Sequence, residues 1–138
     1  MIKAVFWDND GVLVDTESIY YRSTQEVLKG VGVALTVPAF IDISLKQGRS
    51  AFDLAKRQGI SRDRVETLRN TRNRLYNEML GADVRVMDGV EQSLRELRGR
   101  VSLGVVTSSR KKYFLGDKRI GSSRQPKFCR YHDKSDHI

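Results

Sequence analysis

The sequence has little of what secreted and membrane proteins need. Its 138 residues include one cysteine, Cys129, so no intrachain disulfide can form and a reducing compartment is expected. No segment approaches the roughly 20 apolar residues of a membrane span. The first residues also lack a charged leader followed by an apolar core. We therefore expect a cytoplasmic protein that has no membrane partner.

Histidine is scarce too, and the basic charge is unevenly placed. His132 and His137 lie near Cys129, but their spacing matches no zinc pattern. The net charge of +8 comes mainly from residues 110–138, which carry nine Lys/Arg and three acidic residues. A basic tail can contact nucleic-acid phosphates, but no RNA-binding motif accompanies this one. We interpret it as a solvated end and do not favour nucleic acid as a partner.

The apolar pattern predicts a block of helices between two strands. Residues 2–7 are typical of a short buried strand, and residues 101–106 of a second one. Between them, start and stop signals predict several helices. The first covers residues 17–31, the second starts at Thr36, and the third starts at Ser50 and is closed by Gly59. The fourth runs from Ser61 to Gly81, and the last ends near Gly99. This order indicates an α/β core of residues 1–15 and 82–112, a helical cap of residues 16–81, and an irregular tail of residues 113–138.

Two carboxylates follow the first predicted strand. Asp8 and Asp10 are two residues apart, so their side chains point to one side of an extended chain. Such a pair can hold Mg²⁺, or one carboxylate can attack an electrophile. An acidic turn closed by Gly11 is the alternative. The second strand ends at Thr107 and Ser108, whose hydroxyl and backbone N–H groups can hold phosphate oxygens.

These residues resemble the motifs of the haloacid dehalogenase-like (HAD) superfamily. Residues 8–17, Asp-Asn-Asp-Gly-Val-Leu-Val-Asp-Thr-Glu, are similar to its first motif, and residues 105–110 to its second. Residues 86–90 resemble the return from cap to core, and residues 46–50 the specificity loop of the cap. The resemblance covers about residues 1–112 and is closest to capped phosphatases and β-phosphoglucomutase-like enzymes. It implies a partial Rossmannoid parallel sheet with an inserted helical cap.

The resemblance also implies roles for individual residues. Asp8 would be the nucleophile that forms an aspartyl-phosphate, and Asp10 the general acid and then the general base. Mg²⁺ would be bound by the Asp8 carboxylate and the backbone carbonyl of Asp10. The groups implied to bind substrate or phosphate are Thr107, the Ser108 N–H, and the cap residues Lys46, Gly48 and Arg49.

The predicted activity is that of a Mg²⁺-dependent phosphatase acting on small phosphorylated metabolites, with sugar phosphates expected. Phosphotransfer of the β-phosphoglucomutase type is the close alternative, because the nucleophile and the acid/base would be shared. A non-enzymatic binding protein that uses the basic tail is the alternative from another class.

The sequence departs from the family after the second motif. The family has a downstream lysine and an acidic pair, but only 31 residues follow Thr107. We do not assign these roles to Asp117, Lys118, Asp133 or Asp136. The hypothesis is that the chain is truncated or frameshifted after about residue 112. Such a chain would lack part of the family's active site, so its activity stays open, and the Asp8 strand would become an exposed sheet edge.

Overall fold

The computed structural model describes residues 1–107, except for the side chain of Asp83. Several predictions concern residues outside the described part: Ser108, the end of the second motif, and the tail that contains Cys129. No helix within the described part is long and apolar enough to cross a membrane.

Five α-helices and two strands form the described chain. In chain order they are β1 (Ala4–Asp8), α1 (Thr16–Lys29), α2 (Val37–Phe40), α3 (Asp53–Arg57), α4 (Arg62–Asp83), α5 (Val90–Leu97) and β2 (Ser102–Val106). A π-helical segment, Ile41–Lys46, continues directly from α2.

The chain forms two compact units. One, the α/β unit, contains Met1–Glu17 and the chain from Leu80 onward; the other, the helical unit, is Ser18–Met79. Within the α/β unit, β1 and β2 pair in parallel from Ala4 with Ser102 to Asp8 with Val106. The predicted α/β class with a parallel sheet is confirmed. The interpretation of the helical unit as a cap stays a prediction.

Strand β1 is less buried than the sequence predicted. It covers Ala4–Asp8 rather than residues 2–7, and its residues alternate between exposed and half-buried. Phe6 is 70% exposed. The reason is that β2 is the only strand that pairs with β1 among the described residues, so neither strand has neighbours on both sides. The apolar residues of β1 predicted a buried strand, but in the described fold β1 is an edge strand of the sheet.

Side-chain caps begin two helices where the sequence predicted them. The Thr36 hydroxyl accepts a hydrogen bond of 3.3 Å from the Ala39 N–H, and Pro38 lies in the first turn of α2. At α4, the Ser61 hydroxyl accepts one of 3.3 Å from Arg64. Each cap pairs one of the backbone donors that the first helical turn leaves unsatisfied.

Several predicted helix limits were wrong. Helix α1 begins at Thr16 rather than at residue 17 and ends at Lys29 rather than at residue 31. Ser50 does not open α3 directly: its hydroxyl accepts a hydrogen bond of 3.3 Å from Phe52, and the helix begins at Asp53. Helix α4 continues past Gly81 to Asp83, because Gly81 does not take the positive φ of a helix-ending glycine.

The core of the helical unit is aliphatic and aromatic. Its buried residues come from α1, α2, α3, α4, the loop between α1 and α2 and the turn before α3, and they are Val27, Leu28, Val33, Leu35, Phe40, Ala51, Phe52, Ala55, Val65 and Leu68. Leu28 and Ala55 are fully buried. This unit therefore has an apolar core of its own.

Truncation of Leu28 should destabilise the helical unit strongly. We expect Leu28→Ala to lower the free energy of unfolding by about 2–5 kcal/mol, because it removes buried methyl groups and leaves a cavity. Leu28→Met nearly conserves the volume and should cost less than about 1.5 kcal/mol. Urea unfolding followed by circular dichroism measures both variants; similar losses for the two would contradict this packing.

Candidate functional site

The predicted catalytic residues lie where β1 and β2 end. Asp8 closes β1 and pairs in register with Val106, the last residue of β2. Thr107 follows β2, and its hydroxyl donates a 3.2 Å hydrogen bond to Oδ2 of Asp10. Residues that are 97 positions apart thus come within hydrogen-bonding distance. Parallel pairing is the cause, since it places both carboxyl ends at the same edge of the sheet.

A tight turn follows β1 and holds Asp10. The carbonyl oxygen of Asn9 accepts hydrogen bonds from the N–H groups of Val12, Leu13 and Val14 at 3.4, 3.0 and 3.1 Å. The Gly11 N–H donates back to the Val14 carbonyl at 2.9 Å. Leu13 and Val14 are buried, so the turn is anchored by packing as well as by backbone hydrogen bonds.

Backbone hydrogen bonds from the segment before α5 hold the end of this turn in place. The Asp15 N–H donates to the Arg85 carbonyl at 2.8 Å, and the Met87 N–H donates to the Leu13 carbonyl at 3.0 Å. Val14 and Val86 form an antiparallel bridge between these two bonds. Residues 85–87 therefore fix the backbone that carries the carboxylates.

The two carboxylates have different surroundings. Asp8 is exposed, and its Oδ1 accepts a 2.7 Å hydrogen bond from the Asn9 N–H. Asp10 is half-buried and accepts from the Asn9 side-chain amide at 3.4 Å as well as from Thr107. Asn9 itself is 4% exposed and connects the two aspartates. The arrangement offers one outward carboxylate and one that a hydroxyl and an amide hold in place.

The oxygen atoms of Asp8 and Asp10 suit a magnesium ion whose other ligands are mostly water or substrate oxygens. Mg²⁺ prefers oxygen ligands and is bound in many sites by one or two carboxylates. Asp8 and Asp10 supply that number, together with backbone carbonyls. The described residues contain no cluster of three or more metal-ligating side chains.

Gly11 is required by the geometry of the turn. Its φ is +72°, and a Cβ added there would lie 3.2 Å from Oε1 of Glu17. We expect Gly11→Ala to cost about 1–2 kcal/mol, the penalty of a left-handed conformation for an L-residue. Gly81→Ala is the matched control: the position has open space in a helix and should gain up to about 1 kcal/mol. Thermal unfolding compares them, and equal effects would contradict the role of the turn.

The predicted binding residues of the specificity loop belong to the helical unit. Lys46 ends the π-helical segment, and Gly48 has a φ of +62°. Lys46, Gly48 and Arg49 are all exposed. Arg49 contacts Asp53 at 3.4 Å, and Asp53 also accepts from Lys56 at 2.9 Å. The Lys56 ammonium, helped by Arg49, holds the pKa of the Asp53 carboxyl below its ordinary value. Substrate binding by this loop stays a prediction.

The sequence did not predict a role for two arginines of α4, Arg69 and Arg72. Residue 72 lies four positions after the buried Leu68, which is helical spacing, and Arg72 is only 9% exposed. An arginine at a core-facing position was the signal that could have revealed it.

Comparison with known proteins is consistent with this architecture. The sequence model of haloacid dehalogenase-like hydrolases matches residues 5–117. No curated protein matches the sequence. A haloacid dehalogenase-like protein from Agrobacterium tumefaciens has a TM-score of 0.74 at 19% identity, covering 99% of this chain and 60% of its own.

Two other solved structures resemble the chain. A HAD family hydrolase from Deinococcus radiodurans, with bound phosphate and sodium, has a TM-score of 0.71 at 23% identity over 97% of this chain and 58% of its own. A putative β-phosphoglucomutase from Thermotoga maritima has a TM-score of 0.64 at 23% identity, covering 86% of this chain and 55% of its own. The chain thus spans 55–60% of the length of these proteins.

The fold is that of an α/β protein of the HAD-like Rossmannoid class. Because the family match covers most of the sequence, the chain belongs to the haloacid dehalogenase-like hydrolase family. The family is one of hydrolases.

Proposed function

We propose that the protein is a Mg²⁺-dependent phosphatase that transfers a phosphoryl group from a small phosphate ester, of the sugar-phosphate class, to water through Asp8. The observation that carries this proposal is the 3.2 Å hydrogen bond from Thr107 to Asp10 beside the end of β1. It supports a single site built from both motifs. The phosphate of the Deinococcus protein and the phosphomutase assignment of the Thermotoga protein point to the same chemistry.

The first half-reaction would use Asp8 as the nucleophile. A carboxylate oxygen of Asp8 attacks phosphorus while the ester P–O bond breaks, and Asp10 donates its proton to the leaving oxygen. The products are an alcohol and an aspartyl-phosphate. A covalent intermediate of this kind divides one difficult displacement into two easier steps.

In the second half-reaction Asp10 would act as the base. Its carboxylate takes a proton from water, the water oxygen attacks phosphorus, and the Asp8 carboxylate leaves. Thr107 would orient both Asp10 and the transferring group. Mg²⁺, held by the Asp8 carboxylate and the Asp10 backbone carbonyl, would neutralise charge on the phosphoryl oxygens when bound.

The helical unit would act as the cap over this chemistry. Lys46, Gly48 and Arg49 would then contact the part of the substrate that does not react. Their exposure within the helical unit supports such a role, because a cap contact needs side chains that a ligand can reach. The ion pair between Arg49 and Asp53 would have to yield to an anionic substrate.

The test is an assay of the 138-residue chain against a panel of phosphate esters with and without Mg²⁺. We expect phosphate release from sugar phosphates that depends on Mg²⁺. Formation of an isomeric sugar phosphate without net phosphate release would instead favour the mutase alternative. A purified, folded chain that converts no member of the panel would contradict the proposal.

A further inference from the structure

A groove of about 490 Å³ lies between α1 and α4 of the helical unit. Buried Val27 and Leu68, together with the half-buried Leu75, give it an apolar floor. Charged side chains from both helices also line it, and they are exposed. All of the lining residues belong to the helical unit, so the groove is a feature of that unit alone. An apolar centre with a charged rim is the usual composition of a protein–protein contact surface.

The α4 side of the groove contains a stripe of residues at alternating spacings of four and three. The stripe consists of Arg64, Leu68, Thr71, Leu75 and Glu78. Its mean spacing of about 3.5 residues keeps these side chains on one side of a helix, as in the seam between two packed helices. Helix α4 therefore presents to the groove a surface on which a second helix can pack.

Two threonines of α4 line the groove without offering free hydroxyl groups. The Thr67 hydroxyl donates to the Asp63 carbonyl, and the Thr71 hydroxyl donates to the Thr67 carbonyl, each at 3.0 Å. Both hydroxyls are thus bonded to the preceding turn of their own helix. A helix that packs on this side of α4 meets threonine methyl groups and leaves no hydroxyl unsatisfied. The small side chain of Thr71, in the middle of the stripe, also allows close approach.

The two ends of the stripe carry opposite charges. Arg64 lies near the start of α4 and Glu78 near its end, and both are exposed. Neither forms an ion pair within the described part of the chain. A stripe that is basic at one end and acidic at the other is complementary to the same stripe running in the opposite direction.

We propose that this groove is a homodimer interface, in which α4 packs antiparallel on α4 of a second copy about a two-fold axis at Thr71. Arg64 and Glu78 each lie seven residues from Thr71, so the Arg64 of each copy faces the Glu78 of the other. Thr67 and Leu75 each lie four residues from Thr71 and face each other in the same way. The two-fold axis produces each of these contacts twice.

The charges select this arrangement over a parallel one. In a parallel pair of α4 helices, Arg64 would face Arg64 and Glu78 would face Glu78, and like charges in contact are strongly unfavourable. The seam is about 21 Å long at 1.5 Å per residue, so it is smaller than a standard interface of roughly 800 Å² per partner. We therefore expect a weak, reversible dimer with a Kd on the order of 100 μM.

Sedimentation equilibrium of the whole chain, from about 10 μM to 1 mM, measures this association. The mean mass should rise from that of the monomer towards twice that value. Arg64→Glu should weaken the dimer by at least about tenfold, because two glutamates would then face each other at both ends. Glu78→Arg should do the same with two arginines. Arg62→Glu is the matched control: this exposed residue of α4 does not line the groove, so the Kd should not change.

A mixture of the two charge-reversed chains tests the antiparallel register itself. One Arg64→Glu chain and one Glu78→Arg chain place opposite charges at both ends, so the mixture should regain the wild-type affinity. Both positions are exposed, and circular dichroism checks that each variant keeps its fold. A wild-type chain that stays monomeric up to 1 mM would overturn the proposal. A dimer that tolerates both single reversals, or a mixture that does not associate, would overturn it equally.

Discussion

Asp8→Asn is expected to reduce phosphate release by about 10⁴-fold or more, to the level of the blank, because it removes the nucleophile. The substitution is nearly isosteric. The amide oxygen can still accept the hydrogen bond that the Asn9 N–H now donates to Asp8 at 2.7 Å. The turn after β1 should therefore survive, and the free energy of unfolding should change little.

Initial-rate assays and urea unfolding together check this prediction. Asp63→Asn is the control, because that exposed acidic residue lies in the first turn of α4 and far along the chain from either motif. It should keep the wild-type rate. Residual turnover above about 1% in a pure Asp8→Asn preparation would exclude Asp8 as the nucleophile.

Asp10→Asn should slow turnover by about 10²–10⁴-fold, the usual contribution of general acid and base catalysis. The loss should depend on the leaving group. An alkyl phosphate needs a proton on its departing oxygen, whereas an aryl phosphate with an acidic phenol needs it far less. The Thr107 hydroxyl can still donate to the amide oxygen, so the contact that joins the two motifs should persist.

The rate on the alkyl ester relative to the rate on the aryl ester shows whether Asp10 acts as an acid. The variant should lose at least tenfold more activity on the alkyl ester than on the aryl ester in the first half-reaction, measured as a burst. Equal losses on both esters would indicate that Asp10 acts by binding or folding alone. Thr107→Val serves as the comparison: it removes the hydroxyl that holds Asp10 but leaves the acid, so a smaller loss is expected.

The residues at the strand ends could be predicted because their signals are local. Asp8, Asp10 and Gly11 follow an apolar run directly, and Thr107 follows a second one. Parallel pairing of any two such strands brings their carboxyl ends together, so no knowledge of the packing was needed. The capping hydroxyls of Thr36 and Ser61 were equally readable, since each acts within three residues.

Features that depend on distant neighbours could not be predicted in the same way. The exposure of Phe6 depends on which strands lie beside β1; the expectation of an exposed edge came from the missing downstream motifs, because the sequence of β1 alone does not contain that information. The burial of Arg72 depends on Tyr20 and Phe52, which lie on other segments of the helical unit.

Trapping the phosphorylated intermediate shows directly whether Asp8 is the nucleophile. After brief incubation with an aryl phosphate and Mg²⁺, the chain would be quenched in acid and cleaved after Lys3 and Arg22. The peptide of residues 4–22, which contains Asp8, Asp10 and Asp15, would then be sequenced by mass spectrometry. We expect a hydroxylamine-sensitive phosphoryl group on Asp8, and none in Asp8→Asn. Phosphate release with no label on Asp8, or with the label on another residue, would contradict it.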